Sequence, residues 1–386
     1  MEDSMKELFS YLVAISFLVS CGGKQPKVDK VIEGGVEVVL NHVEPYILKG
    51  QPSQLNLKEE TRIDFEQAKY SGLGLKEPDF AEADSQGNIY VVEQYSASDF
   101  FIYKFSPTGE FIKKLGKKGQ GPGEVQGISG VVVNKSGHLL IADRSTGKLL
   151  EFDADGNLIN EIKAHHVMQE VVPLENGNYL ARRMAKDPSE GRRWFLCLFN
   201  SDFEEVKKLD SVDMSAYVPG KPTPGTILSF YWRVAGNKIY IGNEQRGYEL
   251  WVYDFDGNLL RKIRKEYKPA PYPEEFKKQT EELAARQPDL NLTALQDMPP
   301  FNSFFPDDEG RLYVMTYEQG HSQYEIIHDV FNKDGVLVAR VPLGKYGIMG
   351  RALNHLRATA TNGRFYRVAF KENGYPELIV YRMAWE

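Results

Sequence analysis

A short pattern recurs along this chain: a polar turn that contains glycine, followed at once by an apolar strand. Residues 84–88 form the first such turn before the apolar run 89–92, and residues 134–138 form the second before 139–142. Aspartate and asparagine cap turns of this kind through their side chains, and glycine supplies positive φ without strain. The pattern occurs six times, with its glycine at Gly87, Gly137, Gly177, Gly236, Gly310 and Gly363. A repeat of this kind constrains the fold more than any single motif does.

A second turn follows most copies of the first. It lies within residues 103–112, 151–159, 253–260 and 330–337, and residues 199–203 are a weaker copy. Two hairpin turns per unit mean four antiparallel strands per unit. The first-turn glycines lie about 40–50 residues apart wherever no insertion intervenes, which is the length of one blade of a β-propeller.

The repeats therefore predict an all-β fold, a six-bladed β-propeller of four-stranded antiparallel blades over residues 36–386. The sixth blade lacks an outer strand, and the strand-like residues 36–40 are expected to supply it and close the ring. An open or two-domain β protein is the alternative. A helical insertion is expected at about residues 265–302, between blades 4 and 5, because residues 273–286 begin with proline and acids and contain strong helix formers. That helix is either a lid over the channel or a surface helix that shields a blade edge.

One stretch makes a family resemblance specific. Residues 115–125, Leu-Gly-Lys-Lys-Gly-Gln-Gly-Pro-Gly-Glu-Val, are followed by Ile-Ala-Asp at 141–143 and Leu-Glu-Phe-Asp at 150–153. This part resembles an NHL-type propeller blade. The chain after its N-terminal segment resembles the six-bladed propeller lipoproteins found in Bacteroidetes-type bacteria, most clearly over residues 80–160.

The N-terminus has the pattern of a processing segment. Lys6 precedes an apolar run at residues 8–19, which is too short to cross a bilayer and ends before Ser20-Cys21-Gly22. This end resembles a bacterial lipobox, which implies a signal peptide over residues 1–21, lipidation of Cys21 and a flexible tether over 22–35. An uncleaved apolar helix is the alternative. We therefore expect a lipid-anchored protein of the bacterial cell envelope, periplasmic or on the cell surface, that meets the membrane only through its anchor.

Composition excludes several classes of function. The formal net charge of −7 argues against a nucleic-acid partner, since phosphate binding needs a dominant basic field. Cys197, the only cysteine besides Cys21, lies in an apolar strand, so we expect a buried, inert thiol and no disulfide framework. The seven histidines show no metal-ligand spacing, and no catalytic motif is legible. We expect a monomer without metal, cofactor or catalytic residues.

The variable length of the chain lies in one class of connection. In a four-stranded blade, the links from second to third strand and from blade to blade share one face of the propeller, and these links are the long ones. Long loops on a rigid scaffold are a common place for binding, so we expect a protein, peptide or glycan ligand at this face. The candidate binding residues are His166, Arg144, Arg182, Arg183, Tyr231, Arg233, Asn302, Tyr317 and Arg357.

These residue types read planar or anionic groups through forked hydrogen bonds and stacking. For any single arginine, a solvated charge or a salt bridge between blades is the alternative. Asp143 and Glu93, which follow matching strands of two blades, are interpreted as structural, ordering the turns beside them. The alternative function is a metal-dependent hydrolase or lyase. Propeller enzymes of the gluconolactonase or amidating-lyase type draw metal ligands from several blades, and local spacing does not reveal such a set.

Overall fold

The computed structural model describes residues 28–93, 98–134, 136–163, 168–215, 223–224, 230–286, 288, 292–322, 325–344 and 358–386. The chain begins there with three strands and a short helix: β1 Asp29–Glu33, β2 Val36–Asn41, β3 Leu55–Asp64 and α1 Ala68–Ser71. We name the strands of each blade A to D, from the centre outward. The A–B and C–D turns lie on one face of the propeller, which we call the short-turn face, and the opposite face is the long-loop face.

Blades 1 to 3 follow α1, each a four-stranded antiparallel sheet. Blade 1 consists of β4 Phe80–Ala83, β5 Ile89–Val92, β6 Phe100–Phe105 and β7 Phe111–Lys117. Blade 2 consists of β8 Ile128–Val133, β9 Leu139–Asp143, β10 Lys148–Phe152 and β11 Leu158–Lys163. Blade 3 consists of β12 Met168–Pro173, β13 Tyr179–Met184, β14 Arg193–Phe199 and β15 Glu205–Asp213, with a 3₁₀ helix at Pro188–Glu190.

Blades 4 to 6 complete the ring. The link into blade 4 holds β16 Thr223–Pro224, and the blade consists of β17 Phe230–Ala235, β18 Lys238–Asn243, β19 Glu249–Tyr253 and β20 Leu259–Lys265, with a 3₁₀ helix at Glu244–Arg246. The insertion after it holds α2 Glu274–Arg286 and β21 Leu292–Thr293. Blade 5 consists of β22 Ser303–Pro306, β23 Leu312–Gln319, β24 Glu325–Phe331 and β25 Leu337–Gly344. Blade 6 consists of β26 Thr359–Thr361, β27 Arg364–Phe370, β28 Pro376–Trp385 and the N-terminal strand β3.

The repeated turns have the side-chain caps that the sequence predicts. In blade 1, Oδ1 of Asp84 accepts hydrogen bonds from the backbone N–H groups of Gln86 at 3.0 Å and Asn88 at 2.9 Å. Gly87 has a φ of +81°, which glycine adopts without strain. Oδ1 of Asp307 caps the corresponding turn of blade 5 in the same way. The predicted blade architecture is confirmed.

The ring is closed by a different N-terminal strand from the one expected. Residues 36–40 were predicted to complete blade 6, but β2 instead runs parallel to β20 at the outer edge of blade 4. The closing strand is β3, which pairs with β28 from Leu55 opposite Trp385 to Asp64 opposite Glu377. The prediction was wrong because β2 is the more apolar of the two segments. Strand β3 turns a charged face to solvent, where its side chains form ion pairs such as Arg62–Glu377 and Arg364–Glu60.

The predicted tether over residues 22–35 overlaps ordered structure. Strand β1, within that range, pairs antiparallel with β2, and the carboxylate of Glu33 lies 2.9 Å from the guanidinium of Arg264 in blade 4. The signal segment and Cys21 lie outside the described residues. No helix in the described part of the chain is long and apolar enough to cross a membrane.

The core lies between neighbouring blades, because each blade buries both faces of its sheet. Between blades 1 and 2, for example, Tyr90 and Ile102 pack with Val131, Leu139 and Leu150. Each such side chain stabilises the fold by about 1.5–3 kcal/mol relative to exposure. Cys197 is one of these core residues, and burial raises the pKa of its thiol to about 12, which agrees with the expected inert thiol. The apolar contacts join blade to blade and leave the axis of the ring for a cavity.

The helical insertion between blades 4 and 5 is confirmed. It returns on itself where the backbone N–H of Tyr272 donates to the carbonyl of Gln296 at 3.0 Å. Its strand β21 pairs in parallel with β16, which belongs to the link before blade 4. Two long connections on either side of blade 4 therefore brace each other on the long-loop face.

Candidate functional site

A cavity of about 580 Å³ occupies the axis of the propeller. Its walls are the A strands of all six blades, and turn residues such as Gly236 and Gly310 extend it to the short-turn face. Phe80 and Trp232 contribute aromatic side chains to the wall, and charged residues line the cavity as well. Small or β-branched residues keep the axis open, among them Gly130, Val132, Val172, Thr359 and Ala360.

One carboxylate is placed in the cavity by an irregular strand. The pairing of β12 with β13 shifts register between Gln169 and Val172, and Glu170 within this bulge has a φ of +53°. Non-glycine residues rarely adopt this left-handed conformation, and a bulge re-aims the side chain that it carries. The backbone of Glu170 passes so close to Gly130 that a Cβ there would lie 3.1 Å from the Glu170 Cα. Strained residues of this kind cluster at functional sites.

Arg182, one of the predicted binding residues, stands behind that carboxylate. Its Nη2 lies 2.8 Å from Oε1 of Glu170, and its guanidinium lies 4.6 Å above the ring of Trp194. Arg182 is half-buried. Because Glu170 lines the cavity, Arg182 positions the carboxylate that the cavity presents. The structure thus places Arg182 at the edge of the site.

Two other acidic groups of the cavity, Asp307 and Asp308, hold the fold. Asp307 caps its turn and accepts further hydrogen bonds from the Arg311 guanidinium at 3.0 Å and the Tyr313 hydroxyl at 3.1 Å. Asp308 accepts from the Thr361 hydroxyl at 3.2 Å and so joins blade 5 to blade 6. These carboxylates are engaged within the protein, which lowers the negative charge that the cavity offers to a ligand.

Three predicted binding residues come together between blades 4 and 5. The Tyr231 hydroxyl donates to Oε1 of the buried Glu244 at 3.3 Å. Burial, and next the Glu244 carboxylate, raise the pKa of Tyr317 far above its ordinary value, while a hydrogen bond with Asn302 opposes that rise. Burial and Glu244 act on the pKa of Tyr231 in the same direction. Glu244 is the shared centre of this group, and the sequence does not reveal it because Asn302 and Tyr317 come from a distant part of the chain.

Arg183 has a structural role. Its side chain is 1% exposed. It pairs with Glu190 at 2.8 Å and with Glu205 at 2.5 Å, and it lies over the Phe195 ring. The hydrogen bond from Arg183, with a second from Lys208, holds the pKa of Glu190 well below its usual range. Arg183 is therefore held by ion pairs within blade 3, and not by the salt bridge between blades that was the alternative for a predicted arginine.

The remaining predicted residues are separated. Arg233 lines the cavity, with Nη1 donating to the carbonyl of Trp232 at 2.7 Å, whereas Arg144 is exposed on the link after β9. His166 and Arg357 lie outside the described residues.

The acids interpreted as structural order the links beside them. Asp143 accepts hydrogen bonds from the backbone N–H groups of Gln126 at 2.9 Å and Gly127 at 3.1 Å. Glu93 accepts one from the backbone N–H of Lys76 at 2.8 Å. Each of the two acids thus ties the link that enters its blade to the end of that blade's second strand.

Metal ligation finds no support in the described ranges. No group of three or more His, Cys, Asp or Glu side chains there could hold a metal ion. His328, the most buried histidine of blade 5, is held neutral in the core, since burial lowers its pKa to about 4.

Comparison with known proteins agrees with this architecture. The family model DUF5128, described as a 6-bladed beta-propeller, matches residues 83–221, a little over a third of the chain. A solved structure of a putative exported protein from Bacteroides fragilis is 12% identical with a TM-score of 0.53, covering 90% of this chain and 99% of that one. The fold is a six-bladed β-propeller.

Other solved structures are similar to the chain at a comparable sequence identity. A member of the duf4221 family from Bacteroides vulgatus is 12% identical with a TM-score of 0.53, covering 87% of this chain and 99% of that one. A gluconolactonase from Xanthomonas campestris is 12% identical with a TM-score of 0.44, covering 80% and 88%. A search of the curated proteins finds no match. Identities at this level show the fold alone, so the function has to be argued from the site.

Proposed function

We propose that this chain is an exported, lipid-anchored propeller that binds a glycan or a glycan fragment in its central cavity without chemically changing it. The observation that carries the proposal is the cavity of about 580 Å³ along the axis. Its volume falls within the roughly 300–1,000 Å³ that is typical of small-molecule sites. The long links in the sequence favour the long-loop face as the place of binding, whereas this cavity extends along the A strands to the short-turn face.

The lining suits a hydroxylated ligand. Phe80 and Trp232, both largely buried in the blade cores, line the cavity and offer apolar surface to the C–H face of a sugar ring. Glu82 and Glu170 supply carboxylate oxygens that accept hydrogen bonds from hydroxyl groups, and such charge-assisted bonds are shorter and stronger than neutral ones. A few polar groups on a largely apolar wall fix the orientation of a ligand.

The contacts of three cavity acids favour binding without turnover. Glycoside hydrolysis needs two carboxyl groups placed on either side of the scissile bond. In this cavity Asp307 and Asp308 are engaged as turn caps and blade links, and Glu170 is paired with Arg182. The described residues also lack a metal cluster that could activate water. These features support binding over catalysis.

A cavity-filling substitution tests the binding site. Val132 lines the cavity and is half-buried, so Val132→Trp should block ligand entry while the blade cores stay intact. Val206→Trp is the matched control, because Val206 is 56% exposed on an outer strand. Isothermal titration with a panel of neutral and acidic oligosaccharides should show binding to the wild type and the control, with at least about a tenfold loss in Val132→Trp. Equal affinity of all three proteins would contradict the proposed site.

The anchor is tested by fractionation. Lipid labelling and membrane association should be lost in Cys21→Ala and kept in Cys197→Ala, whose thiol is buried and unreactive. Membrane association that persists in Cys21→Ala would overturn the lipid anchor and leave the binding proposal standing.

A further inference from the structure

The central cavity continues into a second, smaller one. A cavity of about 120 Å³ lies between blades 4 and 5 at the short-turn face. Lys238, Tyr240, Gly310 and Lys333 line both cavities, so the two meet at these residues. We call this place the blade 4–5 groove. The groove is therefore a side branch of the central cavity, and one substituent of a ligand that fills the axis can extend into it.

Two lysines in the groove differ from the cations around them. Arg261 pairs with Glu37 at 2.7 Å, and Arg311 pairs with Asp307 at 3.0 Å. Lys238 and Lys333, in contrast, have no carboxylate within 4.0 Å anywhere in the described ranges of the chain. Lys238 begins β18 and Lys333 lies in the C–D turn of blade 5, so they approach the groove from two different blades.

Tyr240 adds a hydrogen-bond donor between them. Its side chain is 5% exposed and faces both cavities, and its hydroxyl has no hydrogen-bond partner among the described residues. Burial, and next the Asp307 carboxylate, raise its pKa, so the hydroxyl stays protonated and can donate a hydrogen bond to a ligand in the groove.

We infer that the blade 4–5 groove is an anion subsite, in which Lys238, Lys333 and the Tyr240 hydroxyl bind a carboxylate or phosphate group of the ligand. The two ammonium groups and the hydroxyl can each donate a hydrogen bond, which is what an anionic oxygen needs. The inference rests on the proposed function in placing the rest of the ligand in the central cavity. It narrows the ligand to an acidic glycan, either a uronic acid or a phosphorylated sugar.

The bare anion tests the subsite without the sugar. Inorganic phosphate should raise the melting temperature of the wild type at millimolar concentration, and the rise should vanish in Lys238→Met/Lys333→Met. Lys163→Met, an exposed lysine on the outer strand of blade 2, is the matched control and should respond like the wild type. A phosphate response that the double variant retains would overturn the inference.

Sugars then separate the two sources of the anion. Glucuronate, glucose 6-phosphate and glucose should be compared by isothermal titration, with a preference of about tenfold or more for one acidic sugar over glucose in the wild type. The double variant should lose that preference and keep the affinity for glucose, and Tyr240→Phe should lose part of it. Acidic sugars bound no better than glucose would overturn the subsite. If phosphate binds at the lysines and no sugar binds, the subsite stands and the proposed function fails.

Discussion

Nζ of Lys265 lies 3.2 Å from Oδ2 of Asp329, in an ion pair that joins blade 4 to blade 5. Both side chains are almost fully buried, at 3% and 0% exposure. The same carboxylate accepts a hydrogen bond from the Tyr248 hydroxyl at 2.6 Å and one from Nε of Arg340 at 2.9 Å. The charge of Asp329 is therefore compensated from both blades, and the pair fixes how the two blades meet.

Removing the charge of Asp329 should weaken the whole ring. Asp329→Asn keeps the shape of the side chain but leaves Lys265 and Arg340 without their buried counter-charge. Breaking one side of a buried pair costs about 3–5 kcal/mol, so the midpoint of urea unfolding should fall strongly. Asp155→Asn is the control, because Asp155 is exposed and 3.6 Å from Lys113, and it should change stability by less than about 1 kcal/mol. Similar losses of stability in both variants would show that the buried ion pair stabilises the fold no more than an exposed one.

Acid should destabilise the protein through His328. Burial lowers the pKa of this imidazole from 6.5 to about 4, and its Nδ1 donates to the Ile326 carbonyl at 2.9 Å. Between these pH values the unfolded chain binds a proton that the folded chain refuses, so the free energy of unfolding falls as the pH falls from 6.5 to 4. The loss should reach a few kcal/mol, at roughly 1.4 kcal/mol per pH unit.

The variant His328→Gln isolates this contribution. Its unfolding free energy at neutral pH should be lower than that of the wild type. The slope of the unfolding free energy against pH between 6.5 and 4 should also be shallower than in the wild type. NMR titration of the wild-type imidazole provides a second measurement that does not depend on the variant. A histidine that titrates at its ordinary pKa would refute the prediction.

Closure by β3 predicts which N-terminal residues matter for stability. Ile63 on β3 is fully buried against blades 6 and 1, whereas Ile32 on β1 is 71% exposed. Ile63→Ala should cost about 2–5 kcal/mol, since it leaves a cavity at the seam of the ring, and Ile32→Ala should cost less than about 0.5 kcal/mol. Thermal unfolding of the two variants measures the difference. A larger effect at Ile32 would indicate that β1 and β2 carry the closure.

The sequence predicts the parts of this fold that depend on local chemistry. Turn caps such as Asp84 and Asp307 act on backbone groups two and four residues away, so the turns can be recognised in the sequence and their number gives the number of blades. The closing strand is not local: β3 pairs with β28, more than three hundred residues later, and hydropathy favoured β2 instead. Composition alone cannot distinguish two strand-like segments that compete for one edge.

The candidate site was predictable only in part for the same reason. Tyr231, Asn302 and Tyr317 were chosen by their position at strand ends, and the fold brings them together around Glu244. Arg183 was chosen on the same grounds but is buried by Glu190 and Glu205. The groove lysines were not among the predicted residues because Lys238 and Lys333 lie at the short-turn face, whereas the long links favoured binding at the opposite face.

Strain at Glu170 should separate binding from stability. Its φ of +53° is unfavourable for any residue with a Cβ, and its carboxylate is held in the cavity wall by Arg182. Glu170→Gly removes both the strain and the carboxylate, and relief of about 1–2 kcal/mol of left-handed strain should offset the lost, partly exposed ion pair. Thermal stability should therefore change little, while glycan affinity measured by titration falls several-fold.

Glu170→Gln separates the two causes, because it keeps the strain and removes only the negative charge. It should lose affinity like Glu170→Gly but be the less stable of the two, since a glutamine has the same Cβ in the same left-handed backbone. If both variants bind like the wild type, the strained carboxylate serves the packing of the bulge against Gly130 and not the ligand. If the glutamine variant alone binds normally, hydrogen bonding at this position suffices and the charge of Glu170 is dispensable.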